Sequence, residues 1–207
     1  MVTAYDKTQY PSMIHASTHP ARMGAVAQLL GRQTAPFDHC RVLEIGGGDG
    51  LNVINMALGA PRSEFFNFDL SATAIGRGRM LAADIAVANV QMSVMDILEA
   101  GPELGTFDYI IAHGVYAWVP PTVREALMQL VARLLSPRGV ALVSYNALPG
   151  CHIRRVVRDL AYAAARPFDD PDRRVAAARA ALNFHLSTWN RQEAAEAALI
   201  GETEHIL

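Results

Sequence analysis

The sequence predicts a doubly wound α/β fold, in which one mostly parallel sheet of strand order 3-2-1-4-5 has helices on both faces. Short apolar segments alternate along the chain with segments of helical periodicity, as in parallel sheets built from right-handed crossovers. The apolar segments are continuous, as expected for strands that are covered on both sides. Polar residues follow the predicted strands, where sheets of this kind bind ligands.

Five strands are predicted, and the residues that follow them are the candidates for a functional site. The strands are residues 41–45, 64–68, 90–94, 107–112 and 140–145. A turn is predicted at residues 136–139, because Pro and Gly occur together there. The carboxyl ends of parallel strands meet at one edge of the sheet, so we expect one site rather than several.

Helical periodicity predicts helices between the strands and throughout the last quarter of the chain. The predicted helices are residues 21–30, 50–58, 71–86, 122–135, 153–166, 172–189 and 191–207. Ser71 is a suitable N-cap, whereas Gly76 and Gly78 weaken the same helix. The elements divide the chain into a lead-in with one helix (1–35), a ligand-binding core (36–150) and an Ala- and Arg-rich helical extension (151–207).

The composition is that of one globular domain with an appendage. The chain has 207 residues, of which 51% are hydrophobic and 18% are charged. A formal net charge of -2 gives no argument for nucleic acid or an anionic membrane as partner. No apolar stretch approaches the ~18 residues of a membrane span. We therefore expect neither a membrane nor a nucleic-acid partner.

The cysteines and histidines predict neither a disulfide framework nor a metal site. Cys40 and Cys151 are far apart in sequence. His15 and His19 are four residues apart, but no acidic or histidine partner stands at a recognisable metal spacing. The first ten residues lack the pattern of a signal peptide. We expect a cytoplasmic protein, because free cysteines suit a reducing compartment.

A glycine-rich loop after the first strand is the strongest functional signal. Glu44 stands two places before Gly46, Gly48 and Gly50, which occupy alternate positions. A dinucleotide fingerprint would require a third glycine where Leu51 stands. S-adenosylmethionine has no phosphate, and its ammonium group suits an acidic residue such as Glu44, by direct contact or through ordering of the loop. The loop therefore predicts S-adenosylmethionine, while a plain tight turn is the simpler alternative.

Acidic residues after the second and third strands complete the predicted cofactor site. Asp69 lies about 20 residues beyond the loop, where an acid that binds ribose hydroxyls is expected, with Leu70 beside it. Asp96 can accept the amino group of adenine, while Met95 and Ile97 provide apolar walls for the ring. A capping or loop role is the alternative for both acids.

These motifs resemble the Rossmann-like S-adenosylmethionine-dependent methyltransferases. The blocks HGVYAWVPP (113–121) and SYNALPG (144–150), with YPS (10–12) and THP (18–20), are similar to bacterial members that carry a C-terminal methyltransferase regulatory domain. Some of that group are similar to protein-lysine methyltransferases. The resemblance implies cofactor roles for the glycine loop and the acids above, and a substrate-side role for residues 113–118.

Two departures from the family are visible in the sequence. Gly47, Gly48 and Asp49 stand where many relatives have a filling similar to Cys-Ala-Ser. Family members are usually much longer, and their sheets commonly continue with two more strands. We therefore expect a fragment or a shortened form, whose independent activity is less secure than its cofactor binding.

The loop after the fourth strand predicts the methyl-transfer site. His113 is a candidate base or structural hydrogen-bonding group that also borders the cofactor, and Tyr116 and Trp118 can hold an alkylammonium by cation–π attraction. Packing of the two aromatics under the next helix is the alternative. Asn146, with Tyr145, can orient the acceptor. Tyr10 and His19 are predicted to form a lid over the cofactor.

The predicted function is methyl transfer from S-adenosylmethionine to an amine, with a protein lysine as the favoured acceptor. A small-molecule nitrogen or oxygen acceptor is the close alternative. A non-catalytic cofactor-binding scaffold and a dinucleotide oxidoreductase are the other classes considered. An unpaired edge of the fifth strand favours a homodimer, and coverage of that edge by the C-terminal extension is the alternative. Arg154, Arg155 and Arg158 are expected to form a solvated helix face.

Overall fold

The chain folds into two compact units, Met1–Tyr145 and Asn146–Leu207. A computed structural model describes residues 11–206. The first unit contains a five-stranded parallel sheet of order β3-β2-β1-β4-β5, which confirms the predicted fold class. The second unit is helical.

The strands of the first unit agree with the prediction except at β5. Their bounds are Arg41–Ile45 (β1), Glu64–Asp69 (β2), Val90–Val94 (β3), Phe107–Ala112 (β4) and Leu135–Val143 (β5). The turn predicted at residues 136–139 is wrong, because those residues extend β5 and Leu135 pairs with Phe107. Within the first unit β5 pairs with β4 alone among the described residues, and an edge strand tolerates Pro137.

Helices connect the strands and form the second unit. In the first unit they are Pro20–Leu29 (α1), Leu51–Gly59 (α2), Ala72–Asp84 (α3) and Pro121–Leu134 (α4). In the second unit they are His152–Ala165 (α5), Pro171–Thr188 (α6) and Ala194–Ile206 (α7). Ser71 caps α3 as predicted, because its hydroxyl accepts a hydrogen bond from the Ala74 N–H. The helix ends two residues earlier than expected, just before a left-handed residue at Ala86.

The sheet is buried on both faces, which explains the continuous apolar strands. Leu43 and Ile45 of β1 pack with Leu127 and Leu130 of α4 on one face. The other face packs against α1 and α2; there Val42, Phe65 and Tyr109 contact Met23, Val53 and Met56. Side chains alternate between the two faces along each strand, so Glu44 points to the same face as Val42. That geometry directs a carboxyl group toward α2 beneath the glycine loop.

Candidate functional site

The glycine loop has a backbone conformation that L-residues rarely adopt. Gly46, Gly48 and Gly50 have φ angles of +68°, +58° and +70°, so each alternate position favours glycine. A Cβ on Gly46 would lie 2.7 Å from Val115 Cγ2, and one on Gly50 would lie 2.7 Å from Met92 Cε. A Cβ on Gly48 would meet nothing within 4 Å. The middle of the loop is therefore its open side, where a ligand can approach the backbone.

Glu44 is buried beneath this loop, with 3% of its surface exposed. Its Oε1 accepts a 2.8 Å hydrogen bond from Asn52 Nδ2, while Oε2 has no partner among the described residues. Burial raises the pKa of Glu44 to about 7; the Asn52 bond opposes that shift and the nearby charge of Asp49 adds to it. The carboxyl group is therefore poised between its neutral and its ionised form.

A polar network that the sequence did not predict connects Glu44 to the lead-in segment. Asn52 Nδ2 also donates to the buried Thr18 Oγ1 at 3.0 Å, and Asn52 Oδ1 accepts from the His15 backbone N–H at 3.0 Å. The Thr18 hydroxyl donates to the His15 carbonyl at 2.8 Å. The signal in the sequence was a pair of polar residues, Asn52 and Asn55, in an otherwise apolar helix, of which Asn52 is the buried one.

Asp69 lies beside the loop at the end of β2. Its Oδ2 accepts a 2.9 Å bond from the Gly48 N–H, and its Oδ1 accepts a 2.8 Å bond from the Ser71 N–H. An ionised carboxylate accepts about four hydrogen bonds, so Asp69 retains lone pairs for further donors. Leu70 is 47% exposed next to it. A carboxylate and an apolar side chain therefore stand together next to the loop.

Asp96 and Ile97 follow β3, the strand next to β2. Asp96 Oδ1 accepts a 2.9 Å bond from the Leu98 N–H, which shapes a local turn. The Met95 N–H donates to the Asp69 carbonyl at 3.1 Å, so the two acidic positions lie at neighbouring strand ends. Met95 and Ile97 are partly buried against the core. The structure thus brings the predicted cofactor residues to one edge of the sheet.

His113 follows β4 and stands against the lead-in segment. Its ring centroid lies 4.2 Å from that of His15, with the rings inclined at 60°. The His113 Nδ1 is buried and has no partner among the described residues. Burial lowers the pKa of His113 below its usual value, and His15 lowers it further. A neutral imidazole at this position can accept a proton or a hydrogen bond.

The two aromatic residues after His113 occupy different environments. Tyr116 packs partly against the core, with the Arg124 guanidinium 5.6 Å from its ring centroid and the Tyr145 ring at 6.1 Å. Trp118 is 65% exposed, so the alternative of packing under α4 does not hold for it. Exposed aromatic surface therefore lies on the turn beyond β4.

The remaining predicted residues lie elsewhere. Tyr10 is outside the described residues. His19 caps α1 by accepting from the Ala21 N–H at 3.2 Å, and its ring lies 4.3 Å from that of Phe37. His15 rather than His19 therefore contacts His113. Asn146 is the first residue of the second unit, where it is exposed.

The arginines of α5 form ion pairs within the second unit. Arg154 pairs with Glu202 at 2.9 Å, and Arg155 and Arg158 lie 3.9 Å and 3.1 Å from Asp159. Local acids therefore offset this basic patch. No cluster of three or more His, Cys, Asp or Glu side chains that could hold a metal occurs in the described part of the chain.

Other surfaces of the first unit lie away from this site. One cleft between α1 and the first half of β5 is lined by residues that include Met23, Leu30, Arg138 and Val140. None of the predicted site residues lines it. Among residues 11–206, no helix combines the length and the apolar character that crossing a membrane requires.

The fold and the site together define a class of protein. A parallel sheet of this order, with a glycine loop after β1 and acids after β2 and β3, is a Rossmann-like α/β domain that binds its ligand at the carboxyl ends of the strands. Residues 36–191 match the family described as a methyltransferase domain. The chain belongs to that methyltransferase domain family.

Two relatives and one solved structure are similar to this chain over most of its length. Two proteins of Rickettsia prowazekii are 34% and 33% identical over 76% and 87% of this chain, which covers 63% and 32% of their lengths. PKMT2 of Rickettsia typhi, solved in complex with AdoHcy (S-adenosylhomocysteine), is 31% identical with a TM-score of 0.80. The alignment covers 95% of this chain and 38% of PKMT2. This chain therefore spans less than two thirds of these relatives.

Proposed function

We propose that this chain binds S-adenosylmethionine and transfers its methyl group to an amine. The observation that carries the proposal is the open glycine loop with two carboxyl groups beside it, Glu44 buried below and Asp69 at the neighbouring strand end. PKMT2, to which the chain is similar, was solved with AdoHcy. A cofactor with a charged amino-acid end and a nucleoside end suits this combination.

The residues present fit the two ends of that cofactor. Glu44 Oε2 is a buried acceptor that has no partner in the described part of the chain, and an ammonium group nearby would compensate its charge. Asp69 has lone pairs left for the two ribose hydroxyls. Leu70 and Ile97 offer apolar surface to the base, and Asp96 offers an acceptor to its amino group. In the same proposal Gly46, Gly48 and Gly50 allow the backbone to approach the ligand.

When bound, S-adenosylmethionine supplies a methyl group on a positively charged sulfur. The protein then has to position an acceptor and exclude water, since methyl transfer is an in-line displacement. His113 can accept the proton that a protonated amine must lose, because its pKa is lowered and it is neutral near pH 7. Tyr116 and Trp118 provide aromatic surface for an alkylammonium, and Asn146 is assigned to orient it.

An amine on a protein lysine is the favoured acceptor within this proposal. Trp118 is 65% exposed and Tyr145 lies within ring contact of Tyr116, so the aromatic surface is accessible from outside. The sequence blocks 113–121 and 144–150 resemble the group that carries a C-terminal methyltransferase regulatory domain and includes protein-lysine methyltransferases. Membership of that group is part of the proposal, as is a cytoplasmic setting for the two free cysteines.

Labelled methyl transfer tests this function. The chain is incubated with methyl-labelled S-adenosylmethionine and three acceptor sets: proteins, small amines and small hydroxyl compounds. Label in protein lysines supports the proposal, and label only in small molecules replaces its acceptor. Cofactor binding without product across all sets favours a scaffold. A thermal shift with NAD but none with AdoHcy contradicts the proposal and favours an oxidoreductase.

Association of two copies through the edge of β5 belongs to the same proposal. Within the first unit this strand pairs with β4 alone among the described residues, and unpaired edges favour further strand pairing. Light scattering of the purified chain should give the mass of a dimer. A monomer at all concentrations contradicts this part.

A further inference from the structure

We infer that Asn67 is a positioning residue of the cofactor site, which holds a proton on Glu44 until the ammonium group of the ligand displaces it. In the free protein the carboxyl O–H of Glu44 donates to Asn67 Oδ1. When the ligand binds, that proton leaves to solvent and Glu44 becomes the carboxylate that compensates the ammonium. The inference rests on the proposed cofactor. It deepens that proposal because cofactor binding would release a proton from Glu44.

The register of the sheet places the two side chains together. Glu44 of β1 and Asn67 of β2 are direct partners in the parallel ladder. Both are buried, with 3% and 2% of their surfaces exposed. A Cβ built on Gly47 would lie 2.4 Å from Asn67 Oδ1 and 2.9 Å from Glu44 Cδ. The amide and the carboxyl group therefore border one point beneath the loop.

Hydrogen bonds to neighbouring groups determine which oxygen of Glu44 and which oxygen of Asn67 is left without a donor. Asn52 Oδ1 accepts from a backbone N–H, so Asn52 directs its amino group toward Glu44 Oε1. Asn67 Nδ2 donates to the Gly48 carbonyl at 3.2 Å, so its Oδ1 is left free. Glu44 Oε2 and Asn67 Oδ1 are both buried without a partner among the described residues.

One proton satisfies both groups. Two buried acceptors that border the same point beneath the loop cost free energy, because neither has a donor. A hydrogen on Glu44 Oε2 supplies that donor. An Asn67 turned by 180° would instead donate to an ionised Glu44, but it would set its Oδ1 against the Gly48 carbonyl oxygen. With a neutral Glu44, no two hydrogen-bond acceptors are placed against each other.

The charges around Glu44 favour the neutral form in the free protein. Burial above all, with a smaller contribution from the carboxylate of Asp49 in the loop, raises its pKa to about 7 against the opposing hydrogen bond from Asn52. Asp69 also lies beside the loop, where its Oδ2 accepts a hydrogen bond from the Gly48 N–H. His15 and His113 carry lowered pKa values, so these rings do not provide compensating positive charge near pH 7. A ligand ammonium would be the group that reverses this balance.

Infrared spectroscopy of the free protein tests the shared proton without any ligand. At pH 6 we expect a carbonyl band of a protonated carboxylic acid that Glu44→Gln removes and Asn67→Leu shifts. Asn89→Leu is the matched control, since Asn89 donates to three backbone carbonyls outside the site and should leave the band unchanged. A spectrum of the free protein at pH 6 that Glu44→Gln leaves unaltered overturns the inference.

Calorimetry with AdoHcy tests the displacement. Titrations in buffers of different ionisation enthalpy count the protons released, and with a pKa of about 7 we expect about 0.9 at pH 6 and about 0.1 at pH 8. The affinity at pH 6 should be about tenfold weaker than at pH 8. Glu44→Gln should release none, and Asn67→Leu should release fewer protons at pH 6 than the unmodified chain.

The outcomes separate this inference from the proposed function. AdoHcy binding with no proton release at pH 6 overturns the inference and leaves the cofactor assignment standing. Absence of binding at both pH values overturns the proposed function and the displacement step with it, while the infrared band still decides whether the proton is shared. A purely structural Asn67 would weaken binding in Asn67→Leu while the proton count stayed that of the unmodified chain.

Discussion

The pKa of Glu44 is determined more by burial than by charged neighbours. Its carboxyl group lies under the glycine loop with one hydrogen bond from Asn52, and burial is the largest cause of its raised pKa. The ordinary value is 4.5, and the folded chain raises it to about 7. The folded state therefore binds this proton more tightly than the unfolded state does.

The stability of the protein should depend on pH through this group. Because the folded pKa is raised, the stabilising contribution is complete below pH 4.5 and is lost as the pH rises to about 7. The loss is roughly 3 kcal/mol for this fully buried group. Glu44→Gln should not show this loss. In urea unfolding, the free energy of unfolding of the variant should therefore increase relative to that of the unmodified chain from pH 5 to pH 8. Parallel pH profiles for the two proteins would contradict the assignment.

Asp69 should contribute to cofactor affinity. Its carboxylate bonds the Gly48 and Ser71 N–H groups and has lone pairs left for ribose hydroxyls. Asp69→Ala should raise the Kd of AdoHcy by the equivalent of about 1–3 kcal/mol, measured by calorimetry. Asp84→Ala removes an exposed acid at the end of α3 and is the control. Equal affinities in the two variants would exclude Asp69 from the site.

Trp118 should act on the acceptor rather than on the cofactor. The side chain is 65% exposed, so Trp118→Ala should change the free energy of unfolding by no more than about 0.5 kcal/mol. We expect unchanged AdoHcy affinity and a lower rate of methyl transfer. Met80→Ala, another exposed apolar residue, is the control. Weaker AdoHcy binding with normal turnover would place Trp118 on the cofactor side of the site instead of the acceptor side.

At the scale of elements, the middle of α3 is held close to the glycine loop at Gly78. A Cβ on Gly78 would lie 2.0 Å from the Asp49 backbone carbonyl, whereas one on Gly76 would meet nothing within 4 Å. From the sequence, both glycines were predicted to weaken the helix. The structure shows that Gly78 is required for contact between helix and loop, and that α3 is continuous through both.

This difference predicts opposite effects for two similar substitutions. Gly76→Ala should stabilise the protein by about 0.5–1 kcal/mol, because alanine favours the helix. Gly78→Ala should destabilise it by about 1–3 kcal/mol, because backbone atoms cannot yield to the new methyl group. Chemical denaturation of both variants provides the measurement. Stabilisation by Gly78→Ala would show that the loop and α3 are not in close contact.

The contacts of the lead-in segment with the site were only partly predicted from the sequence. A lid was predicted from Tyr10 and His19, yet Tyr10 lies outside the described residues and His19 caps α1. Contact with the site runs instead through Thr18, bonded to Asn52, and through His15, against His113. Ser12 also donates a hydrogen bond to Asp49 of the loop. These contacts depend on tertiary approach, which spacing along the chain cannot reveal.

At the scale of the whole molecule, the sheet order and the edge that carries the site were predictable. The sheet order follows from the alternation of strand and helix patterns along the chain. The edge follows from the glycine loop, which the local sequence after β1 reveals. The extension of β5 through Pro137 and the pairing of Glu44 with Asn67 were not, because they arise from strand pairing over long sequence distances. The roles of the site residues stay predictions, as does the acceptor.

The function proposed for this chain depends on where the cofactor binds. Nuclear magnetic resonance of the isotope-labelled chain, titrated with AdoHcy, tests it directly. We expect the largest shifts at the backbone amides of Gly46, Gly48, Gly50 and Leu70, with Asp96 and Ile97 also affected. An unchanged spectrum, or shifts confined to the cleft between α1 and β5, would contradict the account.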